Sequence, residues 1–240
     1  MKYFTKEWFD DTILAGMCFQ VKKSDKAAEF SEKYYLSLYK DQKKWFIKSE
    51  KYIAKHNKVK FDPVAAEAAF EANNRENLDY IKANLPSEIL EKVADIRVLA
   101  LGSASPEVTD AITRFCGGVN RRCEKVAEEY HSEVEKLADK LGWEKINMLE
   151  KLSNSAIELC QEESESFAFA TSAEYTGVPC RVDLMGAKVI QCDEGLVGSA
   201  VAHYELLPAE NGRLVFSALC QKLDGTLLEF SAEMDDLAVI

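Results

Sequence analysis

The chain has 240 residues, is 47% apolar and 30% charged, and carries a net charge of −11. It has enough apolar material for one large core or two moderate ones and too much for a disordered chain. Its acidity argues against general nucleic-acid or anionic-membrane binding, and Lys6, Glu7, Asp10 and Asp11 interrupt any leader or membrane span at the start, so a cytoplasmic protein is expected.

The charge is unevenly placed. Residues 1–153 hold 26 Lys and Arg against 26 Asp and Glu, while residues 154–240 hold 4 against 15. At the same point the apolar pattern changes from helical period to alternation, which predicts an α+β protein. The expected domains are a helical one over 1–152 and an acidic antiparallel β-meander, a curved sheet or small barrel, over 153–240. Seven cysteines (Cys18, Cys116, Cys123, Cys160, Cys180, Cys192 and Cys220) are odd in number, scattered and without a C-x-x-C pair. That pattern predicts reduced thiols rather than a disulfide framework.

In chain order, Phe4 to about Ala15 reads as a short helix with an aromatic face, stopped at Gly16. A long helix is expected from Ser24 or Asp25 toward His56, with Phe30, Tyr34, Leu38, Trp45 and Tyr52 on a core-facing side and Lys40, Lys44, Lys48, Lys51 and Lys55 opposite. Asp62-Pro63 is a cap followed by a first-turn proline and predicts an alanine-rich helix. Leu85-Pro86-Ser87 starts another. Ser105-Pro106 repeats the cap signal ahead of a continuous apolar stripe from Val108 to Leu141, in which Gly117 and Gly118 invite a kink or break.

Beyond Ser153, six strands are expected: 156–162, 166–171, 181–193, 199–207, 213–221 and 226–234. Turns are expected at Gly177-Val178-Pro179, Gly195, Asn211-Gly212 and Asp224-Gly225.

The opening MKYFTKEWF, the stretch ADIRVLALGSAS, and the C-terminal blocks AKVIQCDEGLVGS, AENGRLVFSALCQ and LLEFSAEMDDL together resemble a bacterial family whose members open with MKYFTKEWY, a domain of unknown function. The resemblance implies that Ile96 to Leu101 is helical and that Ile157 opens the β-domain. It brings no activity, cofactor or partner. Where relatives carry tryptophans after the Gly-Ser, this chain has Ala200, Val201 and Ala202.

No motif fixes a chemistry. Lys33 to Lys60 holds nine lysines interleaved with aromatics, a composition suited to single-stranded nucleic acid. The helical spacing separates the two groups and no arginine precedes Arg75, so a solvated lysine face is the simpler reading and nucleic acid ranks last. Glu158, Glu162, Glu163, Glu165, Glu205, Glu229, Glu233, Asp235 and Asp236 supply acidic strands without calcium-loop spacing. Cys192, His203 and Cys220 form a weak candidate cluster on neighbouring strands, and no metal-ligand spacing accompanies them. Gly102 to Pro106 reads as a turn and cap rather than a phosphate loop.

The leading expectation is a non-catalytic binding module, with an immunity-like role as its narrower form. It would meet a basic protein partner through Tyr204, Glu205, Glu233, Asp235 and Asp236. The alternative is an enzyme with its site in a cleft between the helical and β-domains, with His203, Glu205 and Cys192 as candidates. Cofactor and oligomeric state are left open.

Overall fold

The structure, a computed structural model, describes residues 1–18, 20–163, 166–172 and 179–240, with the backbone alone for Met17 and Cys18. Glu165 and most of the expected Gly177-Val178-Pro179 turn lie outside the described residues. The fold is α+β, helical in its N-terminal part and antiparallel in its C-terminal part. No described helix is long and apolar enough to cross a membrane.

Helices α1 (Lys6–Cys18), α2 (Glu32–His56), α3 (Pro63–Asn84), α4 (Ser87–Leu90), α5 (Ile96–Ala100), α6 (Pro106–Leu141) and α7 (Trp143–Met148) are joined by a two-residue parallel pair, β1 (Lys22–Lys23) and β2 (Ser103–Ala104). Asp62 accepts hydrogen bonds from the Val64 and Ala65 N–H groups at 2.9 and 3.1 Å, the cap expected from its place before Pro63, and such a cap is worth about 1 kcal/mol. Helix α2 starts later than Ser24 or Asp25, because Ser31 takes the capping role through the Tyr34 N–H. Ile96 to Ala100 is helical, as the family resemblance implied. The Gly117-Gly118 pair does not interrupt α6, which is continuous over 36 residues.

Two compact units form, residues 12–120 and residues 1–11 with 121–240. The division falls inside α6 and not near residue 152. The reason lies in the apolar stripe of that helix: Val108, Ile112 and Cys116 join Ile81, Ile89 and Leu99 in the helical core, while Leu137 joins the β-core. Counted by unit, the helical part carries 17 basic against 15 acidic residues and the other unit 13 against 26.

Cys116 is disulfide-bonded. This overturns the expectation of uniformly reduced thiols and removes the thiol argument for a reducing compartment. Cys123, Cys160, Cys180, Cys192 and Cys220 are free.

The β-unit contains β3 (Ile157–Glu162), β4 (Ser166–Thr171), β5 (Cys180–Met185), β6 (Lys188–Cys192), β7 (Ala200–Pro208), β8 (Leu214–Gln221), β9 (Leu227–Met234) and β10 (Asp236–Val239). They form two four-stranded sheets, β10-β5-β4-β3 and β6-β9-β8-β7. Residues 181–193, expected as one strand, are β5 and β6 bent at Gly186. Residues 227–239 bend in parallel at Asp235, and the pairs Met185↔Asp236 and Lys188↔Glu233 keep one register across the corner. One antiparallel ribbon therefore supplies a strand pair to each sheet. An Ala156↔Ala200 bridge joins the sheets on the other side, giving a small barrel-like closure.

Gly186 has φ 61°, and a Cβ there would have to displace the Asp235 carboxylate, so any other residue at the corner is strained. Arg213 latches the bend. It bonds the Gly186 carbonyl, donates to Glu233 at 2.9 Å and lies 2.8 Å from Asp235. The enclosed core centres on Phe167, Phe169, Phe216 and Phe230, whose rings meet at 5.0–6.2 Å.

Candidate functional site: a cleft in the helical unit

The helical unit carries a cleft of about 610 Å³, within the range of small-molecule sites. It lies along α2 and α3. These helices run antiparallel, since Tyr39 bonds Glu71 while Lys43 bonds Glu67, and Phe70 packs between Tyr39 and Phe46. No residue of α2 is buried. Its aromatic side was expected to close a core; instead Trp45 is 66% exposed and lines the cleft. A 25-residue helix that buries none of its own residues leaves apolar surface for something else to cover.

The floor is apolar, with Phe70, Ile81, Leu99 and Ile112. The α3 wall is not. Phe70, Asn74, Asn77 and Ile81 recur at i, i+4, i+7 and i+11, the spacing of one inward face, and the middle two are amides. Asn73, Asn74 and Asn77 all line the cleft, although asparagine is a poor helix former that costs up to about 0.7 kcal/mol relative to alanine. Asn74 Oδ1 is out of reach of solvent and has no hydrogen-bond partner, a condition that costs about 1–3 kcal/mol. Gln42 opposite is already engaged, donating to the Leu101 carbonyl at 3.5 Å. Among the described residues, Lys22 and Glu76 are the only charged ones that line the cleft, so this lining is close to neutral. The sequence carried this signal in the Asn-Asn-x-x-Asn run at core-facing positions, which reading α3 merely as alanine-rich passed over.

The residues singled out from sequence occupy other places. Glu205 is 1% exposed and faces inward, where it accepts the backbone N–H groups of Lys2, Tyr3 and Phe4 at 2.9, 2.7 and 2.5 Å. His203 is surrounded by the rings of Phe4, Trp8 and Phe9, and burial lowers its pKa below the ordinary 6.5. Tyr204 is partly buried against the β-core, and burial raises its pKa. Glu233 and Asp235 pair with Arg213, and Asp236 with Lys145 at 2.6 Å. Of the Cys192, His203 and Cys220 cluster, the structure keeps His203 apart in its aromatic setting and brings the two cysteines toward Cys160. Ser103 and Ala104, in the expected turn before α6, form β2, and Ser105 caps α6 through the Val108 N–H. Among the described residues no group of three or more His, Cys, Asp or Glu side chains is arranged to hold a metal ion.

No protein-family model matches this chain, and comparison with curated proteins and with solved structures gives no match.

Proposed function

We propose that the protein is a non-catalytic binding protein whose ligand is a small, planar, largely apolar molecule carrying an N–H or O–H donor, held in the helical-unit cleft. The observation that carries this reading is the unpartnered Oδ1 of Asn74 in a wall otherwise suited to an apolar ring. Asn74 lines the cleft, and a ligand donor that reaches its oxygen satisfies it. Trp45 at the surface offers a ring face for stacking, and the near-neutral lining favours an uncharged ligand. The acidic strands give weaker support to docking of a basic protein. Glu205 is turned inward, and Glu233, Asp235 and Asp236 already have cationic partners.

Indole and indene test the proposal as matched probes, equal in shape and differing in one N–H group. Indole is expected to raise the melting temperature of the wild-type protein and to shift amide signals of α2 and α3 in NMR spectra, with indene binding more weakly. In Asn74→Ala the preference for indole should vanish. Absence of any response to both probes, or an indole preference unchanged in Asn74→Ala, overturns the reading.

A further inference from the structure

The β-unit holds a second feature, independent of the cleft. Cys160 on β3 pairs with Phe169, and Cys192 on β6 pairs with Phe230. Directly paired residues of an antiparallel ladder project to the same face at about 5 Å. Phe169 and Phe230 are both fully buried in the core between the sheets, with ring centroids 5.6 Å apart. The two cysteines therefore lie on edge strands of different sheets, each beside one of two core rings that touch. Cys160 is partly buried, Cys192 is exposed, and both are free thiols. Cys220, from β8, sits deeper and fully buried. One accessible thiol and one sheltered thiol, set on partners whose rings touch and still unbonded, are the arrangement of an attacking and a resolving cysteine.

We propose that Cys160 and Cys192 form a reversible oxidation site, closing to a disulfide between β3 and β6 by exchange with a small-molecule disulfide such as oxidised glutathione. The Cys192 thiolate attacks one glutathione sulfur, breaking its S–S bond and releasing one glutathione thiolate, which takes up a proton. Cys160 then gives up its proton and attacks Cys192 Sγ, breaking the mixed disulfide and releasing the second glutathione. Two protein thiols are oxidised, and one glutathione disulfide is reduced to two thiols. Burial, with the neighbouring Cys192 contributing, pushes the Cys160 thiol up to about 12. Cys160 is therefore a poor first nucleophile, and the exposed thiol begins the exchange.

The test is to equilibrate the full-length protein in glutathione buffers of graded ratio, quench in acid, alkylate the remaining thiols and digest with trypsin and Glu-C together. These proteases leave Cys160, Cys180, Cys192 and Cys220 on separate peptides. The expected result is a Cys160–Cys192 cross-linked peptide, formed as the buffer becomes oxidising and lost on return to reduced glutathione. Cys160→Ser should trap Cys192 as a mixed disulfide with glutathione, and Cys192→Ser should leave Cys160 fully alkylatable. Circular dichroism checks that both variants are folded. Should either variant fail to fold, the wild-type peptide map alone decides the matter. A stable glutathione adduct on wild-type Cys192 with Cys160 still free, a cross-link to Cys220 instead, or no cross-link at any ratio overturns the proposal.

Discussion

The carboxylate of Glu205 accepts the backbone N–H of Phe4 at 2.5 Å, across 201 residues of sequence. With the Lys2 and Tyr3 bonds it gathers three consecutive backbone donors, so one inward-facing side chain ties the first residues of the chain to β7. Removing it leaves donors that water does not readily reach. Glu205→Ala should cost on the order of 3 kcal/mol of stability. Denaturant unfolding measures the loss, and Trp8, whose indole donates to the Cys123 carbonyl, should redden in fluorescence as the segment loosens. A change below about 0.5 kcal/mol, typical of an ordinary surface position, would show that the clasp carries no weight.

The bend at Gly186 makes a second claim. Gly186→Ala forces a Cβ toward Asp235 and a positive φ on an L-residue, together costing about 2 kcal/mol or more. Asp235→Ala in the same chain should recover the steric part and leave the backbone part. A double-mutant cycle by chemical denaturation separates the two, and strict additivity would refute the contact.

His203 predicts a pH dependence. Burial disfavours its charged form, so its folded pKa lies below 6.5. Between the folded and unfolded values the unfolded chain binds the proton and the native chain does not. Its contribution is therefore fully present above about pH 6.5 and is lost as the pH falls through that window. Melting temperatures recorded from about pH 7 to pH 5 should fall, and the slope should flatten in His203→Phe, whose ring suits the Phe4, Trp8 and Phe9 surroundings. An unchanged slope would assign the titration to another group.

Asn74 should show opposite signs in stability and binding. Asn74→Ala removes an unpartnered acceptor and improves helix propensity, so the ligand-free protein should gain about 1 kcal/mol. Such a gain from deleting a side chain marks a position held for function rather than for folding. A loss of stability on calorimetric or denaturant unfolding would mean that Asn74 is an ordinary packing residue.

Much of the fold was legible locally. Capping at Asp62 needs only the neighbouring N–H groups, and the Asn211-Gly212 and Asp224-Gly225 turns need only residues that tolerate positive φ. The helical stripe of α6 was likewise complete in its own periodicity, strong enough to carry Gly117 and Gly118 without a break. The candidate site was legible only in part. Asparagines stood at core-facing positions of α3, but whether a polar residue on such a face has a partner depends on what lies opposite.

The sequence by itself determined the α+β class, the helix starts at Pro63 and Pro106, the hairpin turns and the segregation of acidic residues, because these follow from periodicity, backbone preference and composition over short windows. Only the tertiary structure decided the rest. It turned residues 181–193 into two strands of different sheets, since the corner depends on Gly186 meeting Asp235 and Arg213. It tied the N-terminal segment to the β-unit, since Glu205 found its donors two hundred residues away. It left Trp45 and Phe46 of α2 lining a cleft, because an apolar stripe specifies that a face should be covered and does not specify by what.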